Sequence, residues 1–276
     1  MRRTVILTAA AVALVPELAY AQNGTGSAPQ KTWSSQIGIS TVAMPTYAGS
    51  NRYRTRVFPI FALEFKERVY VGGAMGGTGA GTGLYVVRNP AFSWSAGISG
   101  APERKESHGD GLAGMGRRSG ATFAASDASY KFGSVLAGAG VQVGLGGSEG
   151  STASINLSTQ KVYGRRWIAG LSTGATFANS ENMMYDFGVS PVQAARRQSL
   201  IDGGDSRLHA DEGTAYAPKE GLKQATLSTS LGYLLTPRTS LMGFAMGTRL
   251  GKEAADSPLA RQRNGLVAGV GIAFGI

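Results

Sequence analysis

Few residues of this 276-residue chain are of types and spacings that could do chemistry. Gly146-Gly147-Ser148-Glu149-Gly150 contains the G-x-S-x-G string of serine hydrolases. That string works where the serine sits on a strand-to-helix turn with a histidine and an acid placed around it. Here it joins two stretches that alternate like antiparallel strands, where glycine and serine are ordinary turn residues. The two histidines, His108 and His209, stand beside acids: Asp110 for the first, Asp205, Asp211 and Glu212 for the second. A loop-level histidine with a serine or aspartate is one arrangement this composition permits; two solvated loop histidines is the plainer one. Asp202, Asp205, Asp211 and Glu212 offer oxygen ligands suited to Ca²⁺, but without a regular ligand spacing. The glycine run 72–83 imitates a dinucleotide loop, yet no helical pattern follows it. With no cysteine, disulfides and thiolate metal sites are excluded. The chain is therefore expected not to be an enzyme, with no catalytic residue, no cofactor and no metal site.

The elements that would have to position such residues are strands. Near the C-terminus, Ala225, Leu227, Thr229, Leu231, Tyr233 and Leu235 alternate with Thr226, Ser228, Ser230 and Gly232. After a Thr236-Pro237-Arg238 turn, Ser240, Met242, Phe244, Met246, Thr248 and Leu250 alternate with Leu241, Gly243, Ala245 and Gly247. The chain closes with Leu266, Ala268, Val270, Ile272, Phe274 and Ile276 against Gly265, Val267, Gly269, Gly271, Ala273 and Gly275. A period of two means strands, because successive side chains leave a strand on opposite faces. These run to about 11–13 residues, against about 5–6 in soluble domains. One face is apolar, and the other is small or polar and not a hydrophobic core. That is the requirement of a membrane-spanning barrel, with the Met242/Phe244/Met246 row of the second strand read as lipid-facing.

The N-terminus points the same way. Arg2 and Arg3 precede an apolar run, Val5 to Val15, and Ala19-Tyr20-Ala21 places small residues where a signal peptidase reads. A signal peptide over 1–21, cleaved after Ala21, is expected. The apolar run is far shorter than the roughly 20 residues a spanning helix needs. The formal charge is +10 and 41 residues are glycine. Export and the scatter of Lys and Arg argue against nucleic acid. Solubility, or contact with outer-membrane lipids and lipopolysaccharide phosphates, remain as reasons for the charge.

The fold read from this pattern is all-β: an antiparallel transmembrane β-barrel of about 12 strands, within about 10–14. It occupies 33–276, behind a periplasmic segment 22–32, and carries a long outer loop at 179–223. Links after the even strands are short: Lys66–Arg68, Asn89-Pro90-Ala91, Lys131-Phe132, Lys161–Arg165 and the Pro237 turn. Links after strands one, five, nine and eleven are long. Short periplasmic turns, long extracellular loops and an even strand number belong together in outer-membrane barrels. Trp33, Phe65, Phe92, Trp94, Tyr130, Trp167, Phe177, Tyr233 and Phe274 fall near strand ends as candidate interfacial girdles. In the longest loop, Ser190-Pro191 reads as an N-cap with proline at the first helical position, opening a helix through Leu200. That loop is expected to enter the barrel mouth, with Arg196, Arg197 and Arg207 favouring anions. The glycine and alanine rows assigned to the lumen in the last two strands are expected to admit it closely.

Several loop motifs, taken in order, resemble the MltA-interacting protein (MipA/OmpV) family. They are Met44-Pro45-Thr46-Tyr47-Ala48-Gly49-Ser50, Phe58-Pro59, Leu112-Ala113-Gly114-Met115-Gly116, and Tyr185-Asp186-Phe187-Gly188-Val189 followed by Gln193-Ala194. Tyr216 ahead of Gly221-Leu222, and Arg249-Leu250-Gly251 ahead of Asp256-Ser257-Pro258-Leu259, complete the set. The resemblance implies an outer-membrane protein without catalytic residues. As in the family's namesake, it implies a scaffold for a murein lytic transglycosylase and a penicillin-binding protein, or a surface-interaction protein. A small-solute channel constricted by the long loop is the alternative. Such barrels usually end in an aromatic residue, whereas Ile276 stands last here, with Phe274 two positions earlier.

Overall fold

A computed structural model describes residues 32–75 and 79–276. The expected signal peptide, and the segment 22–32 apart from Thr32, lie outside the described residues. Twelve antiparallel strands close into one barrel, each hydrogen-bonded to its neighbours in sequence, with β1 also pairing β12. They are β1 Trp33–Pro45, β2 Tyr53–Phe65, β3 Val69–Met75, β4 Gly79–Arg88, β5 Phe92–Ala101 and β6 Ala121–Phe132. They continue as β7 Val135–Gly146, β8 Ser151–Tyr163, β9 Trp167–Ala178, β10 Gly221–Thr236, β11 Thr239–Leu250 and β12 Asn264–Gly275. Three short helices lie in the loops: α1 Ser180–Phe187, α2 Pro191–Asp202 and α3 Lys252–Ala255. No described helix is long and apolar enough to cross a membrane, so crossing falls to the strands.

Outward positions carry the apolar residues. Ile39, Val57, Val141, Leu157, Leu171, Leu227, Leu266 and Val270 are each at least half exposed. Soluble monomers rarely expose contiguous apolar patches beyond a few hundred Å². A band around a whole barrel is stable only where hydrocarbon replaces water, and the closed ladder leaves no unpaired strand edge to lipid. The girdle is concentrated at the end bearing the short turns, the periplasmic one. There Trp33 packs on Phe65 at 4.4 Å between ring centroids, Tyr130 on Phe132 at 4.5 Å and Trp167 on Tyr233 at 4.6 Å. Phe177 alone of the expected girdle residues sits at the other end, where β9 runs into the long loop.

The even-numbered links are the tight turns 66–68, 89–91, 133–134, 164–166 and 237–238. The expected Lys131-Phe132 turn is displaced to Gly133-Ser134, because β6 keeps pairing with β7 through Phe132↔Val135. The long loop is shorter than expected, 179–220, because Gly221 and Leu222 already pair with Ala178 and Phe177.

The faces of β11 are the reverse of the expectation. Ser240, Met242 and Leu250 are buried, while Leu241 is exposed. Directly paired residues of an antiparallel sheet share a face. Leu241 pairs with outward Tyr233 and Gly243 with outward Leu231, so the Met242, Phe244, Met246 row turns into the lumen. There Phe244 and Met246 pack on Val42, Met44, Phe58 and Val267, while Met242 joins Ile60, Ile168 and Ala273. Gly269 on β12 makes room for this packing and not for the long loop. A Cβ there would stand 2.7 Å from Phe244 Cε1. The lumen is thus apolar along β11, β12, β1 and β2. Along β7–β10 it is small and polar, with Asn156, Ser158, Ser230 and the Ser172–Ser228 hydroxyl pair at 2.6 Å.

Candidate functional site

Four outer loops, 46–52, 102–120, 179–220 and 251–263, fold against one another into a cap. α1 is held by Asn179, whose side chain accepts from the N–H groups of Asn182 (3.1 Å) and Ser151 (2.9 Å). α2 begins as the sequence reads. Ser190 Oγ accepts the Gln193 N–H, Gln193 Oε1 accepts the Ser190 N–H, and Pro191 takes the first turn. Gln193 Nε2 then donates to the Met115 carbonyl at 2.9 Å, tying the helix to loop 102–120.

Two small apolar cores fill the cap. Leu112, Met115, Val189, Ala194 and Leu259 form one, against Tyr47 and Tyr216. Ala178, Met183, Phe187, Leu250 and Ala254 form the other. Between them the cap is bound by charge. Arg197 is wholly buried. Its Nε donates to the Glu212 carbonyl (2.6 Å) and its Nη1 to the carbonyls of Gly111 and Ala113 (2.9 Å each). Glu212 in turn takes Arg261 bidentately, at 2.7 and 2.8 Å. A second knot centres on Asp186, which pairs with Arg118 and Lys223. Burial alone would push this carboxyl up; the two cations outweigh it and hold the pKa at about 2. Arg118 also stacks over the Tyr185 ring at 4.0 Å, and Tyr185 OH donates to the Ser119 carbonyl.

The family-like residues are distributed through this cap. Pro45 ends β1, and Ser50 bonds Thr46 Oγ1 at 2.7 Å while its carbonyl accepts from Gln262. Gly49 lies against Ala260. Gly114 has φ +77, and a Cβ there would meet Arg197 Cγ at 2.8 Å, so only glycine lets the buried arginine pass. At Gly188 a Cβ would strike Met184. Tyr216 pairs with Val189 and donates to the Glu253 carbonyl at 2.8 Å. Ser257 donates to the Phe187 carbonyl at 2.6 Å, Asp256 pairs with Lys252, and Leu250 and Gly221 sit where β11 and β10 meet the cap. Pro258 lies half-buried between Ser257 and buried Leu259. Leu112 and Phe187 are core, and half-buried Tyr47 packs against the first cluster.

The candidate chemistry takes its place around this frame. Arg197 is committed to carbonyls and Glu212, and Arg207 pairs with Asp205 at 2.6 Å. The anion-selecting role expected for Arg197 and Arg207 is therefore not what their geometry serves. Arg196 is exposed. Of the four candidate Ca²⁺ ligands, Asp205 and Glu212 are spent on arginines, Asp202 accepts from Gln198 and Asp211 is exposed. Ser148 Oγ accepts the Gly150 N–H within its own turn. It lines an open crevice of about 530 Å³ whose ionisable neighbours are Glu149, Glu181 and Tyr185. His209 is exposed, its N–H donating to Glu212 Oε2.

The opposite end differs in kind. Lys66, Arg68, Lys131, Lys161, Arg165, Arg166 and Arg238 are all exposed on or beside the tight turns, with Glu67 the one acid among them. None of the seven belongs to an ion pair within the described residues. Lys66 and Lys161 lie over the Phe65 and Tyr163 rings at 5.2 and 5.3 Å. These cations lie far apart in the sequence, and only barrel closure brings them to one end.

A closed ring of 12 antiparallel strands, apolar and girdled outside, with tight turns at one end and folded loops at the other, defines an outer-membrane β-barrel. The family described as MltA-interacting protein MipA matches this chain over residues 37–276, and the chain belongs to that family. No curated protein sequence matches it. Among solved structures, the NanC porin aligns over 86% of this chain and 98% of its own at 8% identity, TM-score 0.43. OmpT of Vibrio cholerae aligns over 88% and 97% at 8% identity, TM-score 0.39. A Pseudomonas aeruginosa FadL homologue aligns over 88% and 89% at 8% identity, TM-score 0.37.

Proposed function

We propose that this protein is a non-enzymatic outer-membrane scaffold, exported by a signal peptide cleaved after Ala21, that docks a murein lytic transglycosylase on its periplasmic rim. A penicillin-binding protein is the second enzyme such a scaffold would gather. The observation that carries this reading is the rim itself: seven exposed cations on or beside the tight turns, none ion-paired among the described residues, at the end that faces murein in an outer-membrane barrel. The family description supports the choice of partner. Rim charges of one sign steer an oppositely charged surface and fix its register more than they add affinity. In the cap, by contrast, cations and acids are mixed and many of them pair with one another. Lipid headgroups meet the outer circumference of the same rim, where Lys66 and Lys161 overlie girdle rings.

The test uses the full chain in detergent micelles and the soluble transglycosylase. Wild type should retain the enzyme, with retention falling as salt rises. Lys66→Gln/Arg68→Gln/Arg165→Gln/Arg166→Gln should weaken it at least about tenfold. Retention unchanged in that variant would refute rim docking.

The half-buried polar lumen along β7–β10 favours one second reading, a small-solute channel. Planar-bilayer conductance separates the two: steady, cap-independent conductance would put transport ahead of scaffolding.

A further inference from the structure

Two arginines inside the barrel have no role in the cap or the rim. Alternation along β2 turns Arg54 and Arg56 to the lumen with buried Phe58 and Ile60, while Val57 and Phe61 face lipid. Across the β1–β2 ladder their partners are Met44 and Val42, members of the apolar lumen cluster. Arg54 Nε is buried without a hydrogen-bond partner, and neither arginine has an ion-pair partner among the described residues. Arg54 is half-buried and Arg56 exposed, and two like charges two positions apart on one face of a strand repel each other.

In the neighbouring loop no acid pairs with Arg54 or Arg56 among the described residues. Asp110 takes Arg52 at 2.5 Å, which draws loop 102–120 down onto the start of β2. Glu103 is shared by Lys105 (2.7 Å) and Arg117 (2.6 Å), and Glu106 accepts the Gly116 N–H. His108, in the same loop, is within electrostatic reach of both guanidiniums. Burial first, then Arg54 and Arg56, hold its pKa below the ordinary histidine value. Its Nδ1 accepts the Lys105 N–H at 3.3 Å, so a neutral ring carries its proton on Nε2, as a donor. The outer end of the lumen thus presents two guanidiniums on one strand face, with no acid paired to either among the described residues and with His108 of loop 102–120 within electrostatic reach.

We propose that Arg54 and Arg56 form a binding site for a small soluble oxyanion of the phosphate class. Charge-assisted hydrogen bonds from guanidinium forks match tetrahedral oxyanions in geometry as well as charge. The inward orientation selects a soluble anion over a lipid-borne phosphate, which cannot leave the bilayer face of the wall.

The experiment titrates inorganic phosphate into the full chain in detergent micelles, read by calorimetry and by thermal unfolding. Wild type should bind saturably and unfold at a higher temperature in phosphate. Arg54→Gln and Arg56→Gln should each weaken binding about tenfold or more and abolish the thermal shift; His108→Gln should weaken it less. Arg165→Gln/Arg166→Gln on the rim should bind as wild type does. A phosphorylated glycolipid added to the micelles should not compete; competition would overturn the assignment to a soluble anion. Should either lumen variant fail to fold, the wild-type thermal shift alone still decides: no saturable binding and no shift overturns the site. Equal affinity in folded Arg54→Gln and Arg56→Gln overturns it as well.

Discussion

The two ends of this barrel handle charge in opposite ways. The outer loops 46–52, 102–120, 147–150, 179–220 and 251–263 hold twelve Lys and Arg against thirteen Asp and Glu. Many of these are spent on one another or on backbone carbonyls, as in the Arg197–Glu212–Arg261 and Arg118–Asp186–Lys223 knots. The periplasmic rim shows seven exposed cations and one exposed acid, none of the seven ion-paired among the described residues, beside a half-buried Arg88–Glu64 pair. Charges buried together hold a structure in shape; charges left in water at a rim contribute little to folding and remain free to meet a partner. Substitutions at the cap should therefore cost stability, and substitutions at the rim should cost binding.

The largest effect should come from Arg197→Ala. It removes three bonds to loop carbonyls and leaves the Glu212 carboxylate with Arg261 and the His209 N–H. Cap stability should fall by about 3–5 kcal/mol, read as faster tryptic cleavage within 179–220 while the strands stay protected. Arg165→Ala at the rim should leave that cleavage pattern unchanged. A similar loss from both would erase the distinction between the ends.

Acid should act next. The Asp186 pKa is held at about 2, below its unfolded value near 4, so its contribution is fully present above about pH 4 and lost as pH falls through about 2. Loop 179–220 should open over that window by about 1–3 kcal/mol, followed by hydrogen exchange. In Asp186→Asn the acid step should shrink. Gly114→Ala should cost about 1–3 kcal/mol, from the left-handed backbone and the clash with Arg197, and should show as the same cleavage. Smallest is the rim: neutralising Arg165 or Arg166 singly should move thermal unfolding by no more than about 0.5 kcal/mol.

Much of the barrel is legible in the sequence because strand alternation and turn parity are local. Twelve strands, the tight turns after the even ones and the Ser190–Pro191 helix start all follow from short windows. β11 was not legible by alternation alone. One of its faces is apolar and the other small, and composition does not say which meets lipid when part of the lumen is itself packed. The faces are set by a bulge: the Pro237 turn pairs Thr236 with Thr239, which continued regularly would put Met242 opposite Tyr233, and a one-residue shift between Leu234 and Thr236 puts Leu241 there instead. α1 is obscured because its Tyr185-Asp186-Phe187-Gly188 end draws attention as a motif, although Asn179 is an ordinary N-cap. Arg197 beside Arg196 looks like a surface charge pair. Its burial is dictated by carbonyls of residues 111 and 113, more than 80 positions away in sequence, and no local pattern carries that.

The lysines provide the most direct test of docking at the rim. Lys66, Lys131 and Lys161 are exposed at the periplasmic end, and Lys105, Lys219 and Lys252 at the cap. Amine-reactive labelling of the full chain, with and without the murein lytic transglycosylase, reads both ends in one sample. Protection of Lys66, Lys131 and Lys161, with the cap lysines labelled as before, is the predicted result. Protection of Lys105, Lys219 and Lys252 with the rim lysines unchanged would contradict it.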